Sequence, residues 1–187
     1  VRPSLRRRTV RSRGRRFTID RGVFDPQRHL SGVAFAPHLV ELVPDGARVL
    51  DLGTGCGILA AAAAERAGEV VATDVDERAV RCARANLADL GIDVRLGDLF
   101  QPVAGERFDL VVVNPPYEVG PSDDLSYRSP DLLVRLGQQA ADHTARLVVG
   151  FPADDVDTLA LTGLELVPWR TVPTAGRPLG IFVADLP

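Results

Sequence analysis

The chain has 187 residues, enough for one domain with a sizeable core, and 45% of them are apolar, as in an ordinary packed fold. No apolar run is long enough to span a bilayer, and the N-terminal charges lead into no apolar core of the secretory-signal kind, so neither a membrane span nor a secretory signal is expected and a cytoplasmic address is expected. The net charge of −3 conceals a division, since residues 1–16 carry eight arginines and no acid, which leaves 14 basic against 25 acidic residues in the rest of the chain.

Residues 1–16 are therefore expected to be a basic, flexible arm on an acidic body, either a solvated tail or a contact for RNA or an acidic protein surface. Phe17-Thr18-Ile19 and Val23-Phe24 flank Asp20-Arg21-Gly22, a hairpin signal. Ala34 to Val43 is apolar enough for a helix with Pro37 in its first turn, stopped by Pro44-Asp45-Gly46. Strands and helices then alternate. Strands are expected over Ala47–Leu50, Glu69–Thr73, Ile92–Leu96, Phe108–Val113 and Ala145–Val149. Helices are expected over Ile58–Ala67, Asp76–Leu90 and Asp131–His143, the last weakened by Gly137. Asp76 suits an N-cap and Gly91 a C-cap. Leu164–Val167 and Ile181–Ala184 are two further strands with no helix between them, so an antiparallel pair is expected across the Pro/Gly-rich loop 173–180. The pattern predicts an α/β fold: a doubly wound, mostly parallel sheet with an antiparallel C-terminal edge and a short N-terminal hairpin.

Asp51-Leu52-Gly53-Thr54-Gly55-Cys56-Gly57 follows a strand and opens a helix, which lets the backbone approach a ligand at a helix N-terminus. Its register is G-x-G-x-G, with Ile58 where a dinucleotide fingerprint needs its third glycine, so an oxidoreductase reading is disfavoured. Asp74 ends the next strand, 21 residues past Gly53, where a carboxylate accepts from both ribose hydroxyls. Asp98 follows the third parallel strand; it suits an exocyclic adenine amine, with Leu99 or Phe100 covering the ring, or a plain turn. Asp51 is expected to order the loop or to face the charged end of the ligand. The two cysteines, Cys56 and Cys82, come without a ligand cluster, and no metal is expected.

Asn114-Pro115-Pro116-Tyr117 follows the fourth strand of this sheet. Two prolines fix φ and remove two donors, leaving a rigid segment rich in acceptors. The Asn114 side-chain oxygen and the Pro115 carbonyl can each accept one proton of a planar NH2 group, and Tyr117 can stack on it. Holding both N–H bonds turns a conjugated lone pair toward an electrophile, which is catalysis by positioning and electrostatics. A scaffold protein would need no such acceptor.

With these motifs together, the chain resembles the class I S-adenosylmethionine-dependent methyltransferases over roughly residues 17 to 185. The resemblance implies a seven-stranded Rossmann-like sheet, one methyltransferase domain over 17–187, and S-adenosyl-L-methionine as cofactor. It assigns Asp51, Gly53, Thr54, Gly55, Gly57, Asp74, Val75, Asp98, Leu99 and Asn114 to the cofactor, and Asn114, Pro115 and Tyr117 to the chemistry. Asn-Pro-Pro-Tyr is similar to the motif of DNA adenine, rRNA guanine and protein glutamine N-methyltransferases. Val23-Phe24-Asp25-Pro26 resembles the Val-Tyr-Glu-Pro segment of the short branch of release-factor glutamine methyltransferases. That branch implies a macromolecular substrate, a protein with RNA as the alternative, and a small activating protein partner. A small-metabolite nitrogen is a further alternative, and a non-catalytic cofactor-binding subunit is the reading from another class. Two segments depart from that branch: Gln27-Arg28-His29 replaces a Glu-Asp pair, and 120–130 lacks its Gly-Gly-x-x-Gly. Arg28, His29 and Ser31 are expected to border the pocket, and Tyr127 and Arg128 to belong to a lid.

Overall fold

A computed structural model describes residues 7–26, 31–117 and 131–187. The described elements are β1 (Arg8–Ser12), β2 (Arg15–Ile19), α1 (Ser31–Leu42), β3 (Arg48–Leu52), α2 (Ile58–Ala63), β4 (Glu69–Asp74), α3 (Glu77–Leu87) and β5 (Asp93–Leu96). They continue with β6 (Leu110–Val113), α4 (Leu132–His143), β7 (Arg146–Pro152), α5 (Val156–Leu159), β8 (Val167–Val172) and β9 (Leu179–Asp185). One sheet holds seven strands in the order β5-β4-β3-β6-β7-β9-β8, and β1 and β2 form a separate two-stranded sheet.

The expected doubly wound sheet is present. From β3 the chain winds outward through β4 and β5, then returns to the other side of β3 with β6 and β7, all parallel. β9 lies antiparallel between β7 and β8, so the closing hairpin folds its second strand inward. Strand alternation builds two cores. Val49, Leu110, Val112 and Val148 face α1, α2 and α3, whereas Leu50, Val111, Val113, Leu147 and Val149 face α4.

Three expectations need correction. The hairpin turns at Arg13-Gly14, not at residues 20–22. Both turn residues have positive φ, 49° and 79°, the backbone of a two-residue type I′ connection. The Asp20-Arg21-Gly22 turn also forms, with the Val23 N–H donating to the Asp20 carbonyl at 3.2 Å, but it leads toward α1 and not into a strand. Second, residues 8–16 are not a free arm. Val10, Phe17 and Ile19 are buried against the body. Arg8 pairs with Asp25 at 3.0 Å, Arg13 with Glu65 at 2.5 Å, and Arg15 with Asp89. Third, β8 starts at Val167, later than expected, because Leu164 and Leu166 pack against the α4 core instead.

α1 also begins earlier than its apolar run, at Ser31, which puts Pro37 inside the helix. Asp76 caps α3 as expected, its side chain accepting from the Arg78 N–H at 2.8 Å. Gly137 has a packing reason: a Cβ there would lie 1.7 Å from the Thr162 carbonyl oxygen. No helix among the described residues is long and apolar enough to cross a membrane.

Candidate functional site

Parallel pairing lines up the strand ends that carry the motifs. Leu52 is in register with Thr73 on one side and Val113 on the other, and Asp74 with Leu96. Gly53, Asp74, Gly97-Asp98 and Asn114 therefore emerge in one row at the carboxyl edge. The row spans the switch point between β3 and β6, where open α/β sheets hold their ligands.

The glycine loop is strapped down from beneath. Gly53, Gly55 and Gly57 have φ of 77°, 59° and 92°, a region that other residues enter only with strain. A Cβ on Gly53 or Gly55 would meet nothing within 4 Å, so the loop leaves open space on that side. Gly57 differs, since its Cβ would press on Leu87 at 2.9 Å; this glycine lets α2 and α3 pack. Buried Asp51 accepts from the Thr54 hydroxyl at 2.6 Å and from the Ala60 N–H at 2.9 Å. Asp51 thus orders the loop and Thr54 is part of the strap. Burial pushes the Asp51 carboxyl up to about 7, against the lowering effect of those two bonds.

Asp74 accepts from the Gly55 N–H at 2.8 Å and the Asp76 N–H at 2.9 Å. Each carboxylate oxygen keeps a second acceptor position for a ligand hydroxyl. Desolvation raises its pKa, opposed by the backbone bonds. Next to it Val75 is 47% exposed and Leu96 52%, apolar surface suited to one face of a flat ring. Leu99 has φ 47°, uncommon for a branched side chain and a form of backbone strain that clusters at binding sites. Phe100 does not cover the ring. It is buried and stacks on His143 at 4.5 Å, in the core under α4; of the two, only Leu99 is partly exposed. Asp98 forms an ion pair with Arg135 of α4, an interaction that the sequence did not reveal.

At the end of β6, the Asn114 Nδ2 donates to the Ser31 hydroxyl at 3.1 Å. Its Oδ1 is buried and has no hydrogen-bond partner among the described residues. An unpartnered buried carbonyl costs about 1–3 kcal/mol, so this oxygen is an acceptor that a donor entering the hollow would satisfy. Ser31, Asn114, Tyr117, Phe151, Arg177 and Leu179 line a hollow beside it. Tyr117 meets Phe151 edge-on, with centroids 6.3 Å apart, and the Arg177 guanidinium lies 5.9 Å from the Tyr117 ring. Arg177 is held from behind by Asp154, at 2.8 Å. Ser31 borders the pocket as expected, whereas Arg28, His29, Tyr127 and Arg128 lie outside the described residues. Phe151 and Arg177 come from β7 and from the loop before β9; no local motif marks either. Among the described residues no cluster of three or more metal-ligating side chains forms.

A family model, "Methyltransferase small domain", matches residues 15–143. The chain belongs to that family. A release factor glutamine methyltransferase of Cereibacter sphaeroides is 38% identical over 125 residues, covering 64% of this chain and 42% of the relative. A ribosomal protein L11 methyltransferase of Symbiobacterium thermophilum is 49% identical over 100 residues, covering 51% and 33%. This methyltransferase small domain thus spans less than half the length of those two relatives. Among solved structures, the 16S rRNA N2 G1207 methyltransferase of T. thermophilus, in complex with AdoMet and guanosine, matches 99% of this chain and 52% of its own. Its TM-score is 0.69 at 23% identity, a likeness of fold.

Proposed function

We propose that this methyltransferase small domain transfers the methyl group of S-adenosyl-L-methionine to a planar NH2 nitrogen, most directly the side-chain amide of a protein glutamine. The observation that carries this reading is the buried Oδ1 of Asn114, unpartnered among the described residues, which lines a hollow with Tyr117 at the end of the strand that pairs with the one leading into the glycine loop. The relatives named for release factor glutamine and uL3 glutamine methylation support the acceptor class.

The residues present fit the cofactor. Open space over Gly53 and Gly55 would admit its chain, Asp74 would accept from ribose hydroxyls, and Val75 and Leu99 would flank the adenine. When bound, the cofactor supplies an electrophilic sulfonium methyl. Asn114 Oδ1 and the Pro115 carbonyl accept the two acceptor N–H bonds and hold the nitrogen so that its lone pair leaves conjugation. Tyr117 packs on the amide plane. The nitrogen loses a proton as it gains the methyl; that proton is acidic by then and passes to solvent, so no strong base is required. The contribution of this chain is geometric and electrostatic.

The test uses purified protein, radiolabelled S-adenosyl-L-methionine and three acceptors: a bacterial release factor, ribosomal RNA and a metabolite extract. Label on a release-factor glutamine, located by a mass gain of one methylene, is the expected result. Label confined to RNA or to small molecules would replace the glutamine assignment. No transfer to any acceptor, with cofactor bound, would favour a non-catalytic subunit.

A further inference from the structure

Every basic residue of the chain except its histidines is an arginine; there is no lysine. Nearly all the described arginines are spoken for by a carboxylate or a carbonyl of the same molecule. In the hairpin the division is sharp. Arg8, Arg13 and Arg15 reach Asp25, Glu65 and Asp89, and so tie β1 and β2 to the body, while Arg7 pairs with Asp20 across the open end of the hairpin. Arg11 and Arg16 have no ion-pair or hydrogen-bond partner among the described residues. They are exposed and stand directly opposite each other in the β1–β2 register. Side chains paired this way have Cβ atoms about 5 Å apart, and like charges so placed destabilise the pair. Just beyond β2, exposed Arg21 also has no partner among the described residues.

The same face presents Thr9, the cross-strand partner of Thr18. Among the described residues, the outward surface of the hairpin is thus two guanidiniums flanked by two threonines, with no apolar side chain; the one acid beyond the threonines, Asp20, is already paired with Arg7. A protein partner would need an apolar or aromatic anchor at the centre of the contact, and this face has none. Hydroxyls and forked guanidiniums are the groups that hold phosphate oxygens. Beyond residue 16 the chain carries 14 basic against 25 acidic residues, so its net charge opposes a polyanion.

We infer that the outer face of the β1–β2 hairpin, through Arg11 and Arg16, binds the phosphodiester backbone of RNA. Binding relieves the repulsion between the two guanidiniums, and the inward arginines serve only to hold the platform. The inference does not depend on which nitrogen is methylated.

The experiment measures fluorescence anisotropy of a labelled oligouridylate over a salt series, with polyglutamate as a second anionic probe. Arg11→Gln/Arg16→Gln should weaken RNA binding by about tenfold at low salt, and should make the log–log salt slope shallower by roughly 1.4, the value for two single-strand phosphate contacts. Tm should be unchanged or slightly raised. Arg13→Gln/Arg15→Gln should lower Tm and, in the folded protein, keep the slope. An Arg11→Gln/Arg16→Gln protein with the wild-type slope and affinity would overturn the inference. Polyglutamate bound as tightly as RNA, and lost in the same variant, would overturn it in favour of an acidic protein partner.

Discussion

The hydroxyl of Ser31 fixes which way the Asn114 amide faces. Nδ2 donates to it at 3.1 Å, and this leaves Oδ1 turned to the hollow without a partner. Ser31→Ala removes the one hydrogen bond that the described residues give this side chain. The bond is worth about 1 kcal/mol, and its loss strands a buried NH2 as well. The amide is then free to turn over, and each molecule that does so presents a donor to a donor. A loss of about 1–1.5 kcal/mol at the transition state is roughly five- to tenfold in kcat. KM and cofactor Kd should stay within about twofold, because the acceptor bond tightens only as the nitrogen leaves planarity. Ser31→Thr, which keeps a hydroxyl, should retain most of the activity. Asn114→Ala should cost about 100-fold or more in kcat with cofactor affinity nearly intact. The decisive measurement is a double-mutant cycle on methyl transfer to whichever acceptor the wild type modifies. Ser31→Ala should add nothing once Asn114 is alanine. An equal loss of kcat in both backgrounds, or an unchanged kcat in the single variant, refutes the reasoning.

Three further outcomes test the frame of the site. Asp51 is ionised in the unfolded chain above about pH 4 but neutral in the fold until about pH 7, so its contribution to stability is full below pH 4 and lost as pH rises to 7. Urea melts near pH 4.5 and pH 7.5 should show Asp51→Asn gaining about 3 kcal/mol relative to wild type over that interval; parallel curves would contradict the raised pKa. Leu99→Gly relieves a positive φ and so should leave stability within about 1 kcal/mol, while calorimetric cofactor Kd weakens several-fold through lost apolar cover. An unchanged Kd would remove Leu99 from the adenine site. Gly137→Ala should lower stability by about 2 kcal/mol or more, despite a helix-propensity gain near 1 kcal/mol, because its Cβ would run into the Thr162 carbonyl; a raised Tm would mean α4 does not approach that backbone.

The sheet was legible because its strands and helices differ in period and are punctuated by glycine and proline. Asp51, Asp74 and Asn114 were legible because each ends a strand, and a parallel sheet puts such ends along one edge. The hairpin was misplaced because arginine density resembles a solvated tail. Its inward alternation, Val10 and then Phe17 and Ile19, is short, and the acids that hold it, Glu65 and Asp89, lie on other elements. Phe100 was offered to the ligand since its neighbour Asp98 sits at the edge; the stacking of its ring on His143 could be seen only in three dimensions.

By itself the sequence determined the architecture and the chemical vocabulary of this protein: glycines where the backbone must turn, carboxylates at strand ends, and a stiff acceptor segment after β6. Those follow from local rules of conformation and from the periodicity of burial. The tertiary structure alone decided which groups are already satisfied. It spent Arg13 and Arg15 on anchoring, engaged Asp98 with Arg135, turned Asn114 with Ser31, and left Arg11, Arg16 and the Asn114 oxygen without partners among the described residues. Hydrogen bonds and ion pairs between distant segments depend on where side chains meet in space, and no local pattern of residues encodes that.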